Sequence, residues 1–275
     1  MGDARLSLVG TPIGNLQDAS PRVLDTLRAA DVLLCEDTRV TSKLLARFDI
    51  RVPLVRCDEN VMASRVDDVL ARVEAGERVA FVSDAGMPGV SDPGQRLVDA
   101  ALDRGVRVEV IPGPSAVVCA LVASGLAMDH FFFEGFLPRK PGPRRRRLEA
   151  LLPIPGAVVL YESPHRVAAT LEAVAEVMPT RRVALVRELT KVHEEVVRDL
   201  APRLATAIAQ RDEVRGECVI VIEGPGTDEP LAAPARTLDE AIAEGLSSGE
   251  AKSRLAKRLA REFSLSRSEV YDRLV

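Results

Sequence analysis

Loops rich in glycine and proline follow several apolar, strand-like runs of this chain. The densest loop is Ser-Asp-Ala-Gly-Met-Pro-Gly-Val-Ser-Asp-Pro-Gly at 83–94, directly after an apolar run. Its composition excludes a helix or a central strand and suits a backbone that lies close to a ligand. Comparable loops at 10–16 and 112–116 also follow apolar runs. Because the parallel strands of an open α/β sheet present their following loops at one edge, these three loops predict a ligand site there.

The composition fits a protein with aliphatic cores. The chain has 275 residues, of which 47% are hydrophobic and none is Trp. This length is sufficient for two domains, each with its own core. The formal net charge of −4 argues against a uniformly basic nucleic-acid coat, but it averages over local basic clusters and does not decide the partner.

The four cysteines are far apart in sequence and none forms a C-x-x-C motif. We therefore expect Cys35, Cys57, Cys119 and Cys218 to be small apolar side chains rather than zinc ligands or disulfide partners. No apolar run approaches the ~20 residues of a membrane span, and the N-terminus leads directly into a predicted strand. These features predict a cytoplasmic protein with no resident metal.

Alternating strands and helices predict a first α/β domain at 1–124 with a parallel sheet. Its predicted strands are 5–9, 31–35, 53–56, 79–82 and 107–111, and its predicted helices are 21–30, 41–48, 61–75, 92–104 and 115–124. A second α/β domain is predicted at 125–224. Its strands are 131–134, 157–161, 182–186 and 217–222, with helices at 164–178 and 201–210. Because fewer helices join these strands, we expect a mixed sheet.

The C-terminal part has a different character. Glycine and proline at 225–236 predict a linker, and 237–275 is predicted to be a module of three short helices. Each helix start resembles a capping box, and the three pairs are Thr237 with Glu240, Ser247 with Glu250 and Ser266 with Glu269. The middle helix has an apolar stripe and is otherwise basic, with Lys252, Arg254, Lys257, Arg258 and Arg261. The module therefore resembles a nucleic-acid-binding appendage, and the alternative is a dimerisation element with a solvated charged face.

Six cations lie within nine positions after the Phe131-Phe132-Phe133 run. They are Arg139, Lys140, Arg144, Arg145, Arg146 and Arg147. Their mutual repulsion favours a phosphate-bearing partner for what we predict to be a loop. A solvated loop without a partner is the alternative.

Charged residues also gather at 161–166 and 187–195, just after two predicted strands. Such groups at strand ends are candidates for binding and proton transfer, and ordinary surface ion pairs are the alternative. The chain has no Walker A, H-E-x-x-H or G-x-S-x-G motif, which excludes the commonest phosphate-loop, zinc-protease and serine-hydrolase sites. Gly10 and Gly14 follow a strand, but Pro12 lies between them and the next helix begins only near Pro21, so a dinucleotide fingerprint is not supported.

The ordered set of motifs resembles the bacterial ribosomal RNA small subunit methyltransferase I family of the tetrapyrrole methylase superfamily. The similar segments are 11–18, 35–39, 83–94, 112–115, 135–138, 161–166 and 187–191. This resemblance implies a two-domain tetrapyrrole methylase-like fold, usually a homodimer, with S-adenosylmethionine in the cleft between the domains. It also implies methylation of the ribose 2′-hydroxyl of a decoding-centre cytidine in 16S rRNA, in the free RNA or the small ribosomal subunit.

The resemblance also implies site residues. Those expected at the cofactor are Pro12, Asp84, Ala85, Gly86, Met87, Val90, Ser115, Ala116, Tyr161 and Glu217. Those expected at the RNA are Arg39, Arg139, Lys140, Arg144, Arg145, Arg146, Arg147, Lys257 and Arg258. Lys191, Glu188 and His165 are the candidate catalytic residues, with Lys191 either a base of lowered pKa or a cation that stabilises the oxyanion while Glu188 orients it.

One position departs from the superfamily pattern. Tetrapyrrole and diphthamide members have Gly-Asp-Pro where this chain has Gly86-Met87-Pro88. Either Asp84 replaces the missing carboxylate or the loop binds through its backbone. Two other functions stay open on the same fold, a small-molecule methylase and a non-catalytic RNA-binding assembly factor; the basic segments favour RNA.

Overall fold

The computed structural model describes residues 4–226, 237–263 and 265–274. The chain divides into two compact units. The first comprises Met1–Glu149 with Ile154–Gly224, and the second comprises Ala150–Pro153 with Pro225–Val275. The first unit therefore contains both predicted α/β regions, and the boundary between them near 124 stays a prediction.

The first sheet of this unit is parallel and has the strand order β3-β2-β4-β1-β5 in the described part of the chain. Its strands are β1 (Arg5–Val9), β2 (Val32–Cys35), β3 (Leu54–Arg56), β4 (Arg78–Val82) and β5 (Val108–Ile111). The connecting helices are α1 (Pro21–Ala29), α2 (Thr38–Arg47), α3 (Glu59–Glu74) and α4 (Gln95–Asp103). Since β1 pairs with both β4 and β5, the three glycine- and proline-rich loops are neighbours at one edge, as predicted.

The strands of this sheet are apolar because both faces are covered. Leu6, Leu8 and Phe81 belong to one buried cluster, and Val9 and Leu33 belong to another. Such continuous apolar strands are typical of parallel sheets between two helical layers. The buried sheet therefore gives the loops at its edge a rigid base.

The second sheet is mixed, with the order β6-β7-β10-β8-β9 among the described residues. Its strands are β6 (Phe131–Phe136), β7 (Ala157–Glu162), β8 (Arg182–Arg187), β9 (Glu195–Leu200) and β10 (Cys218–Ile222). The accompanying helices are α5 (Ala116–Ser124), α6 (Pro141–Leu151), α7 (Val167–Val177) and α8 (Ala201–Ala209). β6 and β7 are parallel and the other pairs are antiparallel, which confirms the predicted mixed sheet.

Two elements of this sheet region differ from the prediction. The prediction omitted β9. Its sequence, Glu-Val-Val-Arg-Asp-Leu, resembles a charged loop because every second residue of this edge strand is exposed. The basic segment after Phe136 is not a loop, since Pro141–Leu151 forms α6. Proline is tolerated in the first turn of a helix, so Pro141 and Pro143 do not break it.

Ion pairs reduce the repulsion within the basic segment. Arg147 makes a two-pronged contact with Glu134, with Nε 2.6 Å from Oε1, and Arg145 pairs with Glu149 at 3.0 Å. Arg144 is buried. The exposed cations of the cluster are therefore Arg139, Lys140, Arg145 and Arg146.

The second unit contains helices α9 (Leu238–Ser247), α10 (Lys252–Glu262) and α11 (Arg267–Asp272). Thr237 and Ser266 form the predicted capping boxes. The capping box predicted at Ser247 is wrong, because α9 continues to Ser247 and α10 has Ala251 as its N-cap. Leu255 and Leu259 are fully buried in the core of this unit, as their stripe predicted.

Most of the predicted linker, 227–236, lies outside the described residues. In the described part of the chain, no helix is both long and apolar enough to cross a membrane. Cys35, Cys57 and Cys218 are buried, and Cys119 is half-buried. Burial raises the pKa of the Cys57 and Cys218 thiols to about 11, which fits their reading as apolar side chains.

Candidate active site

A cleft of about 390 Å³ lies within the first unit, between loops of the first sheet and residues of the second. Its volume is in the range of small-molecule sites. The first-sheet side contributes Ile13, Ala85, Gly86, Met87, Val90, Ser91, Asp92, Ser115 and Ala116. The other side contributes Phe136, Tyr161, Glu162, Ser163, Pro164, Gly216, Glu217, Cys218 and Val219. Eight of the ten residues predicted at the cofactor therefore line one cleft; Pro12 and Asp84 do not.

Backbone contacts fix the loops on the first-sheet side. Thr11 and Gly86 form an isolated antiparallel bridge, with N–H···O distances of 2.9 and 3.1 Å. Pro12 is buried directly beside this bridge. Ser115 precedes α5, whose first turn, beginning at Ala116, borders the cleft. The exposed N–H groups and positive dipole of a helix start are suited to an anionic group.

Met87 packs between two of these loops. The backbone N–H of Gly113 donates to its sulfur at 3.3 Å. The carboxylate of Asp84 accepts the backbone N–H of Asp37 at 3.1 Å and does not line the cleft. This arrangement favours binding of the ligand through the loop backbone. It argues against Asp84 as the replacement for the carboxylate that other superfamily members have at position 87.

Three carboxylates, the half-buried Glu36 and Asp92 and the exposed Asp84, lie at the same edge of the first sheet. Burial raises the pKa of Asp92 to about 6, and Asp84 adds to the shift while the Ser83 hydroxyl opposes it. Burial, and then the charges of Asp92 and Asp84, raise the pKa of Glu36 to about 7. The Oε1 atom of Glu36 is buried without a hydrogen-bond partner in the described part of the chain. These groups repel one another, so each keeps its proton to a higher pH than usual.

The second-sheet side carries a lysine between two carboxylates. The Nζ atom of Lys191 lies 2.8 Å from Glu188 and 3.1 Å from Glu217. Burial lowers the pKa of Lys191, but hydrogen bonds to Glu188 and Glu217 outweigh it and the net shift is upward. This direction argues against the first alternative for Lys191, a base of lowered pKa, and favours a protonated Lys191.

The loop that carries Lys191 is strained and closely packed. Glu188 and Thr190 have φ angles of 53° and 65°, which residues other than glycine rarely adopt. A Cβ on Gly216 would lie 2.4 Å from the Glu188 Oε1 atom, and a Cβ on Gly14 would lie 2.6 Å from the Lys191 Cγ atom. Only glycine fits at these two positions. The first loop of the parallel sheet thus packs directly against the Lys191 loop.

The segment after β7 is held by a buried carboxylate. Glu162 accepts the Thr170 hydroxyl at 2.7 Å and pairs with Arg166 at 3.1 Å. Burial raises the pKa of Tyr161 to about 12, with Asp92 as the next cause. His165 is exposed and lies beside the lining residue Pro164 without lining the cleft.

The residues predicted at the RNA differ in exposure and in ion pairing. Arg39 is exposed and pairs with Asp37 at 2.6 Å. In the second unit, Lys257 is exposed, whereas Arg258 pairs with Glu250 at 2.7 Å. With Arg144 buried and Arg147 paired, the free basic surface is smaller than the sequence predicted.

A family model for tetrapyrrole (corrin/porphyrin) methylases matches residues 5–205. A ribosomal RNA small subunit methyltransferase I from Synechocystis sp. is 40% identical over 269 residues, covering 97% of this chain and 95% of the relative. A protein of the same name from Mesorhizobium japonicum is 47% identical over 229 residues, covering 82% and 78%.

The chain belongs to the ribosomal RNA small subunit methyltransferase I family. This confirms the family resemblance and the two-sheet tetrapyrrole methylase fold.

Solved structures share the fold of this methyltransferase I family chain. Diphthine synthase matches with a TM-score of 0.63 at 18% identity, covering 80% of this chain and 89% of its own. The methyltransferase CobJ matches with a TM-score of 0.61 at 21% identity, covering 86% and 97%. A uroporphyrin-III C-methyltransferase from Thermus thermophilus, solved with S-adenosylhomocysteine, matches with a TM-score of 0.57 at 21% identity, covering 80% and 97%.

Ten of the eighteen described residues that line the cleft, Asp92 and Phe136 among them, were not predicted at the cofactor. Asp92 was placed in the glycine- and proline-rich loop and at the start of a predicted helix, but no role at the site was assigned to it; the helix begins only at Gln95. Phe136 belonged to a motif with no assigned role. Its exposure in the cleft became visible only once β6 and β7 were paired.

The carboxylate group gives a prediction about stability. The pKa of Glu36 is about 7 in the folded state, and its ordinary value is 4.5. Between these two pH values, Glu36 is protonated in the folded state and deprotonated in the unfolded state. Stability therefore falls as pH rises through that window. We expect Glu36→Gln to be more stable than wild type by roughly 1–2 kcal/mol at pH 8, and equally stable at pH 4, in urea denaturation.

The matched control is Glu172→Gln, an exposed glutamate of α7. It should leave stability unchanged at both pH values. Equal stabilities of Glu36→Gln and wild type at pH 8 would contradict the interpretation of Glu36 as a half-buried carboxylate that neighbouring acids repel.

Proposed function

We propose that this protein transfers a methyl group from S-adenosylmethionine to 16S rRNA, at the ribose 2′-hydroxyl of a decoding-centre cytidine. The observation that carries the proposal is the cleft formed by both sheets in a chain of the methyltransferase I family. The exposed cations of α6 and of the segment before it favour an RNA substrate over a tetrapyrrole. A homodimer and a cytoplasmic location belong to the same proposal.

The cleft suits S-adenosylmethionine chemically. Ile13, Met87 and Val90 offer apolar surface, whereas Asp92 and Glu217 offer carboxylates for a positively charged sulfonium. We propose that the cofactor lies against the eight residues of the predicted set that line the cleft, which are Ala85, Gly86, Met87, Val90, Ser115, Ala116, Tyr161 and Glu217. Pro12 and Asp84 belong to the same loops without lining the cleft. When bound, S-adenosylmethionine supplies a methyl group whose carbon forms a bond to the attacking oxygen as the carbon–sulfur bond breaks.

The reaction also releases the hydroxyl proton, and the chain must accept it. Among the described carboxylates that line the cleft, Glu217 pairs with Lys191 and Glu162 pairs with Arg166. Asp92 has a hydroxyl partner, Ser83, and no cation partner in the described residues. We propose Asp92 as the proton acceptor, because a carboxylate with a raised pKa and no cation partner among the described residues is the strongest base available there.

Lys191 then has the second of its two predicted roles. Held by Glu188 and Glu217, it is a fixed cation that stabilises negative charge developing on the attacking oxygen. Glu188 orients it. His165, exposed beside the cleft, is proposed to contact the RNA at the entrance.

The proposed function is tested by methyl transfer from labelled S-adenosylmethionine. The substrates are small ribosomal subunits and deproteinised 16S rRNA from a strain that lacks this modification. We expect label in RNA and a primer-extension stop that marks a methylated ribose. Binding of S-adenosylmethionine without transfer to either substrate would favour a small-molecule methylase, and absence of cofactor binding by calorimetry would favour an assembly factor.

The proton acceptor gives a prediction about pH. Asp92 interacts electrostatically with Glu36, Asp84 and Tyr161, and its pKa of about 6 means that it is protonated below this value. We expect kcat to fall about tenfold per pH unit below pH 6. Asp92→Asn should lower kcat roughly 100-fold or more and leave the KM for RNA unchanged, by steady-state kinetics.

Asp99→Asn, an exposed aspartate of α4, serves as the control and should retain the wild-type profile. A wild-type pH profile in the Asp92→Asn variant would show that another group accepts the proton.

The basic surface gives a prediction about salt. Replacing Arg139, Lys140, Arg145 and Arg146 by Gln should weaken RNA binding and reduce the slope of log affinity against log salt by about 3, since each phosphate contact to single-stranded RNA contributes about 0.7. Cofactor affinity should not change. Filter binding at several salt concentrations measures the slope.

A matched variant replaces four exposed cations elsewhere in the first unit, Arg28, Lys43, Arg65 and Arg203. It should keep the wild-type slope. If both variants lose the same slope, the attraction to RNA comes from overall charge and not from the surface around α6.

A further inference from the structure

Phe136 is an exposed aromatic residue at the cleft, and neither the proposed chemistry nor the cofactor set uses it. Its side chain is 57% exposed although it lines the cleft. Aromatic residues make up only 3% of this chain. An exposed phenylalanine at a binding cleft is therefore a candidate contact for a ligand with a flat face.

A β-bulge aims Phe136 at the cleft. Phe133 pairs with Val159, but Gly135 rather than Glu134 pairs with Leu160, so β6 contains one extra residue. In a regular strand, residues 133 and 136 would point to opposite faces of the sheet. The extra residue puts both rings on the face of Tyr161, at centroid distances of 4.9 and 5.8 Å.

The same bulge connects the ring to the basic surface. Glu134, the extra residue, holds Arg147 of α6 through two hydrogen bonds. Arg139 and Lys140, both exposed, follow Phe136 by three and four positions. Exposed cations next to an exposed ring are the combination that binds single-stranded nucleic acid, with phosphates on the cations and a base on the ring.

The backbone after Phe136 is fixed. Arg166 donates to the carbonyl oxygen of Leu137 at 2.7 Å and is itself held by the buried Glu162. Leu137 is 2% exposed and anchors the segment in the core. A fixed ring loses little conformational freedom on binding, which favours its use as a stacking surface.

We propose that Phe136 stacks on an unpaired base of the RNA substrate and so positions the strand at the mouth of the cleft. This inference rests on the proposed function for the identity of the substrate. It assigns Phe136 to RNA and not to the cofactor, because the ring is mostly exposed and is followed directly by the basic surface.

The test compares wild type with Phe136→Leu, Phe136→Trp and Phe131→Leu in the full-length chain. Leucine keeps an apolar side chain but removes the ring, and tryptophan keeps a ring. Phe131 is a matched control, since it lies on the same strand, is 48% exposed and does not line the cleft. Binding to an unmodified 16S rRNA transcript and to S-adenosylmethionine is measured for each variant.

We expect Phe136→Leu to bind the transcript about tenfold more weakly, with an unchanged salt slope because no phosphate contact is lost. Phe136→Trp should restore affinity, and Phe131→Leu should match wild type. S-adenosylmethionine affinity should be the same in all four proteins. This result would support the proposal even if the methyl-transfer assay failed.

Three results would overturn the inference. Unchanged transcript affinity in Phe136→Leu would show that the ring does not stack on RNA, and a selective loss of S-adenosylmethionine affinity would assign the ring to the cofactor. A wild-type protein that binds no transcript would overturn the inference and would exclude the free RNA as the substrate, which leaves the small ribosomal subunit. In contrast, a wild type that binds the transcript but transfers no methyl group would contradict only the proposed function.

Discussion

The packing of the loop after β1 against the Lys191 loop is the constraint on which the rest of the site depends. Asn15 donates its backbone N–H to the Thr190 hydroxyl at 3.0 Å, and Gly14 leaves no room for a side chain beside Lys191. This contact joins the edge of the parallel sheet to the edge of the mixed sheet. Without it, the two sets of loops would line separate surfaces and there would be no cleft between them.

The carboxylates of the cleft differ in whether a cation neutralises them. Glu162 and Glu217 are neutralised by Arg166 and Lys191, so they fix structure or hold a cation in place. Asp92 has no cation partner among the described residues, and burial and the charge of Asp84 raise its pKa. An electrostatic difference of this kind between neighbouring acids is how one site provides both a fixed charge and a proton acceptor.

The sequence was sufficient for the parts of the fold that depend on strong local patterns. The apolar runs before glycine- and proline-rich loops located the parallel sheet and most of the cleft lining. The sequence was insufficient where a contact with another element determines the structure. β9 has exposed charged residues because it is an edge strand. The charge of α6 is partly offset by Glu134 and Glu176 on other elements. Arg258 is held by Glu250, which the sequence assigned to a capping box. The upward pKa shift of Lys191 likewise depends on Glu217, 26 positions away.

The central claim is that residues of both sheets hold S-adenosylmethionine in one cleft, and a crystal structure of the complex tests it most directly. The account predicts contacts from the loops after β1, β4 and β5 together with Tyr161 and Glu217 of the second sheet, with the methyl group within reach of a hydroxyl that Asp92 can deprotonate. A cofactor bound wholly on one sheet, or bound outside this cleft, would contradict it.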